Sequence, residues 1–397
     1  MKHSRKLFWF VLSLTISCIS TQLFAANTHY VVTNDDEAGA NTASFYVAGG
    51  SASAPKLTLH KTVKTGGSGR GPEGFAAPRV AVIHDSKDEC VYVSDSGSND
   101  IAGIVVNTQK VAGNFKASSG DSGDLNGIGV AMNTKYLYAA FTESNTLATF
   151  KVLAGCKLKF VKDVSAKGLQ GGSVDGLALH GSMMVVAYAD GSIESFNISK
   201  GAPVSNGDAQ NSTGYENNGA VPAGVDISKD GHYAIFGDGG YYVEVEVSDI
   251  SSGKLKATVD FGGPGGGLGA GQNSNQAQLS PDDSVVYISV NFSGEVTAAF
   301  FDKKKGTLTY GCNSGALNGF DKSWAYTMGL ATEQTQGTGT VLWVAEYAVL
   351  GSPSSIGILK ISSKNGSCSL TESSKSPADD ANSPGLESIG AYPPRPF

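Results

Sequence analysis

The sequence predicts an all-β chain arranged as a seven-bladed β-propeller of four-stranded antiparallel blades, its first blade closed by a strand from the C-terminus. Three observations carry that prediction. A strand–turn–strand motif recurs seven times along the chain. A shorter hairpin precedes most of the copies. No window after the N-terminal segment has the i, i+3, i+4, i+7 apolar spacing of a surface helix.

The repeated motif is a strand of aromatic and β-branched residues that ends in small polar ones, then a turn and a second strand. Its copies begin at His29, Val91, Leu137, Val185, Tyr233, Val286 and Leu342. Their spacing of roughly 45 to 60 residues suits blades of four strands. The preceding hairpin is a short apolar strand and a polar turn, clearest in "GVDISKDGHYAIF" from Gly224 and "AQLSPDDSVVYIS" from Ala277. Asp, Gly, Ser and Asn fill these turns because they tolerate positive φ or bond their own backbone. The 52 glycines and only 16% charged residues fit many tight turns. A blade with two apolar faces is not stable alone, and stacking blades in a ring buries both.

The first copy lacks a preceding hairpin, so the first blade lacks its inner strand. The segment "GLESIGAY", Gly385 to Tyr392, resembles the other inner strands and is expected to supply it. An open ring would otherwise leave an apolar sheet edge bare.

Residues 1–25 read as a secretory signal peptide: Lys2, Arg5 and Lys6, then an apolar run from Leu7 to Ile19, then Leu23-Phe24-Ala25. The apolar run is shorter than the about 20 residues a membrane span needs. Residues 26–397 form a single propeller domain on this reading. The formal charge of −7 becomes −10 once the three positive residues of the leader are removed. That balance argues against nucleic acid and against anionic membrane surfaces.

Cys90, Cys156, Cys312 and Cys368 remain after the leader, and outside the cytoplasm four cysteines allow two disulfides. Cys90 and Cys156 fall in turns at the same end of blades two and three. Cys312 and Cys368 fall late in blades six and seven. The pairing expected is therefore Cys90–Cys156 and Cys312–Cys368.

Several motifs resemble the seven-bladed propellers of the YVTN-repeat and lactonase family. Tyr92-Val93-Ser94-Asp95 with Ser98-Asn99-Asp100-Ile101, Ser144-Asn145-Thr146-Leu147, Val31-Val32-Thr33-Asn34 and "LSPDDSVVYIS" from Leu279 carry the resemblance. It implies the propeller fold over nearly the whole chain after the leader. The family includes enzymes that open or form lactone rings, with His and Arg at the starts of inner strands. Their Pro-His-x-His and Gly-Pro-Arg-His patterns are absent here. Blade four begins Ser173-Val174-Asp175-Gly176 and blade six Ser274-Asn275-Gln276-Ala277.

In a propeller the first residues of the inner strands stand at one mouth of the central channel. Registering the hairpins on one another sets Arg79, Asn126, Asp175, Asn275, Gln276 and Glu387 there, with apolar Ala223 and Met328. A cation beside two carboxylates suits a sugar, a carboxylate or a lactone carbonyl. His84, His180 and His232 fall at the opposite end of the blades. The glycine-rich stretch Gly262 to Gln272 has no helix after it to hold a phosphate, and reads as a loop over the mouth. Asp95, Asn99 and Asp100, and Asp121 with Asp124, read as turn chemistry rather than calcium sites. The expectation is a monomer without metal or cofactor that binds a small polar ligand or a partner protein at the mouth, with lactone hydrolysis or a structural envelope role as alternatives.

Overall fold

The computed structural model describes residues 28–71, 80–82, 89–117, 130–133, 135–142, 144–239, 244–262, 274–318, 325–335, 339–348, 354–364, 366–380, 386 and 388–392. Its strands form seven antiparallel sheets in a ring. From the channel outward, blade two runs Val80–Val82, Cys90–Asp95, Asp100–Val105 and Lys110–Phe115. Blade three runs Val130–Met132, Tyr136–Phe141, Thr146–Leu153 and Lys157–Ser165. Blade four runs Val174–His180, Met183–Tyr188 and Ser192–Asn197, and its outer edge is split between Val204–Ser205 and Gln210–Asn211. Blade five runs Val221–Ile227, Tyr233–Gly239, Glu244–Asp249 and Lys256–Gly262. Blade six runs Ser274–Leu279, Val285–Val290, Glu295–Asp302 and Thr307–Asn313. Blade seven runs Ala325–Thr335, Gly339–Ala348, Ser354–Lys364 and Ser367–Glu372, with Ala378–Asp380 added beside its third strand.

Blade one contains Tyr30–Asn34, Thr42–Ser51 and Ala54–Lys64, and its inner strand is Ile389–Tyr392 from the far end of the chain. The closing strand pairs Tyr392 with Tyr30 and Ile389 with Thr33. It is shorter than the segment expected from the sequence. Within Gly385 to Tyr392, Gly385 and Glu387 lie outside the described residues. Closure is reinforced at the rim, where the Ser373 hydroxyl donates to the Pro55 carbonyl at 2.6 Å. Each inner strand packs against those of the blades on either side, all the way round.

The second strands are apolar on both faces because each faces a different neighbour on alternate residues. Val32 packs toward blade two and Val31 toward blade seven. Leu342 packs toward blade six and Trp343 toward blade one. This period of two puts one cluster of buried side chains at each of the seven blade junctions. The polar turns obey the same local chemistry in different blades. Ser228 donates to Asp230, and Ser280 to Asp282, each at 2.7 Å. The following Gly231 and Asp283 take positive φ.

Both expected disulfides are present. Cys90–Cys156 joins blades two and three with Cα atoms 5.4 Å apart, and Cys312–Cys368 joins blades six and seven at 5.5 Å. Among the described residues the helical elements are Thr213–Asn218 and a 3-10 turn at Asn291–Ser293. Among the described residues no helix is long and apolar enough to cross a membrane.

Candidate functional site

Inner strands begin at the end of the ring where second strands finish, so that end gathers residues from both. At this mouth the inner strands of blades four to seven each carry a β-bulge in the same place. The ladder slips between Val174 and Gly176, Pro222 and Val225, Ser274 and Ala277, and Thr327 and Leu330. Asp175, Ala223-Gly224, Asn275-Gln276 and Met328-Gly329 occupy the slips. A bulge leaves residues out of the ladder and re-aims their side chains. In blade six Ser289 lies opposite the bulge, and the Gln276 amide donates to its hydroxyl at 2.9 Å.

The bulges of blades four, five and six touch. A Cβ on Gly176 would lie 1.9 Å from the Ala223 carbonyl oxygen. One on Gly224 would lie 2.6 Å from the Gln276 Cα and 2.9 Å from the Asn275 carbonyl oxygen. Only glycine lets these backbones approach so closely. Ser274 stitches the arc to blade five, donating to the Glu244 carbonyl at 2.7 Å and accepting from the Glu244 amide at 3.2 Å. The result is an arc in which Asp175 and then Asn275 and Gln276, all half-buried, follow one another across three blades.

Around the arc, carboxylates stand at or just past the mouth ends of second strands in five blades. They are Asp35 and Asp36, Asp95, Asp190, Asp238 and Glu346. Asp36 takes hydrogen bonds from the Arg70 amide at 3.1 Å and Ser96 at 3.0 Å. Burial still pushes its carboxyl up to about 6 against those bonds and the Arg70 charge. Asp95 is buried across the junction of blades one and two. It accepts from Thr65 at 2.7 Å, Asn41 at 2.8 Å and Asn114 at 2.9 Å. Burial pushes it up to about 7, with the neighbouring Asp100 adding to the rise. Glu346 is pushed up to about 7 by burial, with Ser355 donating to it and Glu372 nearby.

Asp190 behaves in the opposite way. Burial works to raise it, and hydrogen bonds from Ser192 and from the Gly172 and Gln170 amides outweigh that and bring it below the usual carboxylate value. It thereby fixes the loop over blade four. Gln170 of that loop donates to the Tyr215 hydroxyl at 3.1 Å, on the Thr213–Asn218 helix. Ser212 caps that helix, and the Thr213 amide donates to the buried Glu246 at 2.6 Å. Asp238 and Glu244 lie fully buried beside Gly214 of the same helix.

Of the six mouth residues expected from the sequence, Asp175 lies in the bulge of blade four and Asn275 and Gln276 in that of blade six, with the bulge of blade five between them. Arg79, Asn126 and Glu387 lie outside the described residues, as do Asp121, Asp124, His84 and nearly all of the 262–272 loop. His180 and His232 lie at the opposite end, where the Gly231 turn packs on the His180 ring. Among the described residues no three His, Cys, Asp or Glu side chains are arranged to hold a metal ion. The bulges were missed in the sequence, although a signal existed. Asp175-Gly176-Leu177, Ala223-Gly224-Val225 and Met328-Gly329-Leu330 each set a glycine inside an apolar strand, a mark of a bulge or close backbone approach.

The fold of the ring recurs in solved structures. A protein of Bacteroides fragilis to which 6-phosphogluconolactonase activity has been ascribed superposes with a TM-score of 0.67, at 14% identity, over 92% of this chain and 99% of its own. The fold they share is the seven-bladed β-propeller. The periplasmic gluconolactonase of Pseudomonas aeruginosa matches with a TM-score of 0.60, at 12% identity, over 89% of this chain and 98% of its own. Hydrazine synthase of Kuenenia stuttgartiensis matches at 0.53 and 15% identity, over 73% of this chain and 77% of its own. The architecture therefore does not decide the chemistry. No protein-family model matches the chain, and no curated protein matches it either.

Proposed function

We propose that the chain is an exported propeller that binds a small polyhydroxylated ligand at the channel mouth. The observation that supports this reading is the run of bulges over blades four, five and six, which leaves Asp175 of blade four and Asn275 and Gln276 of blade six out of their ladders. A carboxylate accepts hydrogen bonds from sugar hydroxyls, and primary amides both donate and accept. Polar groups gathered at one end of the ring fit a site for such a ligand. Export is supported by the leader-like residues 1–25 and by the two disulfides.

Titration calorimetry with a panel of sugars, aldonic acids and aldonolactones tests the reading. Saturable binding to the wild type, weakened in Asn275→Ala and Arg79→Ala, is expected. A folded protein that binds none of the panel would refute it.

A second reading, lactone hydrolysis, is favoured by the fold shared with the gluconolactonase. It would need a general base at the mouth, with Asp175 or Glu387 in that role and Arg79 facing the oxyanion. An adjacent arginine holds a carboxylate ionised and makes it a weak base, which ranks hydrolysis second. Hydrolysis of a sugar lactone that disappears in Asp175→Asn would reverse the order.

A further inference from the structure

We propose that the outer wall of blades one, two and three is a docking surface for a linear anionic polysaccharide, apart from the mouth. The inference starts from an uneven spread of charge round the ring. Lys56, Lys61 and Lys64 lie on the outer strand of blade one, Lys110 on that of blade two, and Lys157, Lys159 and Lys162 on that of blade three. All of them are exposed. Asp163 is the acid on these strands, and it is half-buried. The turns that lead into them, residues 52–53, 106–109 and 154–156, hold no acid. Among the described residues no carboxylate pairs with these lysines. The outer strands of blades five, six and seven carry Lys256 against Asp260 and Glu372, and the two short pieces of blade four carry no charge. The basic wall therefore stands out on a chain whose formal charge is −7.

Lysines on an edge strand also keep sheets from pairing edge to edge. That need is the same in every blade, and blades four to seven meet it without a run of lysines. Edge protection therefore does not account for their concentration on three adjoining blades. The three outer strands also form one surface, since neighbouring ones are in contact. Lys61 donates to the Gln109 carbonyl of blade two at 3.2 Å, and the Cys90–Cys156 bridge ties the turn before the outer strand of blade three to blade two. The backbones are close-packed there, and a Cβ on Gly103 of blade two would lie 2.2 Å from the Cys156 carbonyl oxygen.

The arrangement decides the chemistry of the partner. The lysines run along the strands and across them without converging on one point, so they suit repeated charges rather than a single phosphate. One exposed ion pair contributes little, and a polymer that engages several at once gains by multivalency. Two steps round a seven-bladed ring turn the wall through about 100°. A flat membrane touches such a convex wall along one blade, whereas a flexible chain follows it over three. The choice of polysaccharide over nucleic acid rests on the export proposed above, since an exported protein meets anionic glycans at and beyond the cell envelope.

The test uses the protein after its leader and labelled polygalacturonate, followed by fluorescence anisotropy. Saturable binding is expected at about 20 mM salt and should weaken by about tenfold or more at about 300 mM, since screening acts on exposed charge. Lys157→Glu, Lys159→Glu and Lys162→Glu together should weaken it by about tenfold or more, with circular dichroism and the melting temperature unchanged. Lys303→Glu, Lys304→Glu and Lys305→Glu, at exposed positions of blade six, change the net charge equally and should weaken it by less than about threefold. Should the blade-three variant fail to fold, Lys56→Gln with Lys64→Gln carries the test, and a loss of about threefold is expected. No binding, or an equal loss in the two glutamate variants, would overturn the inference. Tighter binding to duplex DNA, or to vesicles of phosphatidylcholine with about 30% phosphatidylglycerol, would overturn the choice of partner. An excess of galacturonate or of the aldonolactones in the panel above should not displace the polymer. Displacement by either would put the polymer at the mouth and overturn the inference while leaving the reading of the mouth intact.

Discussion

Gly176 of blade four lies against Ala223 of blade five so closely that a Cβ would sit 1.9 Å from the Ala223 carbonyl oxygen. The contact is backbone against backbone, so no side chain can swing away to relieve it. It joins two bulges that adjoin in the ring, and so couples the stability of the propeller to the shape of its mouth. Gly176→Ala is expected to cost about 2 kcal/mol or more, by analogy with overpacking in a close-packed core. Gly207, with open space around its Cβ position, is the control, and Gly207→Ala should stay within about 0.5 kcal/mol. Guanidinium unfolding of the two variants checks both figures.

The closing strand offers a second test. Leu386, Ile389, Ala391 and Tyr392 are buried between blades seven, one and two. Ending the chain after Pro384 removes all four and strips blade one of its inner strand. Ile389→Ala alone should cost about 2–4 kcal/mol, and the truncation clearly more. A truncated chain that melts with the wild type would show that the ring does not depend on this strand.

The ring was legible in the sequence because its cause is local and repeated. Val31-Val32, Tyr92-Val93 and Leu342-Trp343 each place successive apolar residues, as a strand buried on both faces requires. The closing strand and both disulfides followed from counting strands within blades. The mouth was legible only as a row of positions. Asp175 and Asn275 could be set at one end of the ring, but hairpin registration assumes an even ladder and cannot show a slip. The burial of Asp36, Asp95 and Glu346 was also hidden. Asp36 and Asp95 sit at strand ends, where the sequence reads as a solvated turn, and segments from elsewhere in the chain reach them, whereas Glu346 is met by Ser355 of the next strand in its own blade. Asp95, for example, is covered by Thr65 and Asn41, which no local pattern ties to it.

The disulfides lead to a third expectation. The bridges span 66 and 56 residues of sequence. Closing loops of that length in the unfolded chain stabilises the fold by about 4 kcal/mol each on the chain-entropy account. Replacing both partners of one bridge by serine should therefore lower the melting temperature by several degrees, with the other bridge intact. Peptide mapping without reduction should yield a Cys90–Cys156 pair and a Cys312–Cys368 pair. Any crossed pair would contradict the blade junctions described above.

The buried carboxylates give stability an unusual dependence on pH. Asp36 is raised to about 6, and Asp95 and Glu346 to about 7, each mainly by burial. Between the ordinary carboxylate range and these values, the folded protein holds protons that the unfolded chain has released. Stability then falls as pH rises through that window. The contribution is complete below the unfolded value of about 4 and is lost as pH climbs through 6 to 7. Asp190, Asp230, Asp249 and Asp282 are lowered instead, so their opposing effect sets in only when pH falls below about 4. The guanidinium midpoint should accordingly be higher at pH 5 than at pH 8. Asp95→Asn keeps the shape of the side chain and removes its titration. It should raise the midpoint at pH 8 relative to the wild type, raise it less at pH 5, and so flatten the profile. A midpoint that climbs steadily from pH 5 to pH 8 would mean that Asp36, Asp95 and Glu346 are ionised in the fold without penalty, their hydrogen bonds outweighing burial as they do at Asp190.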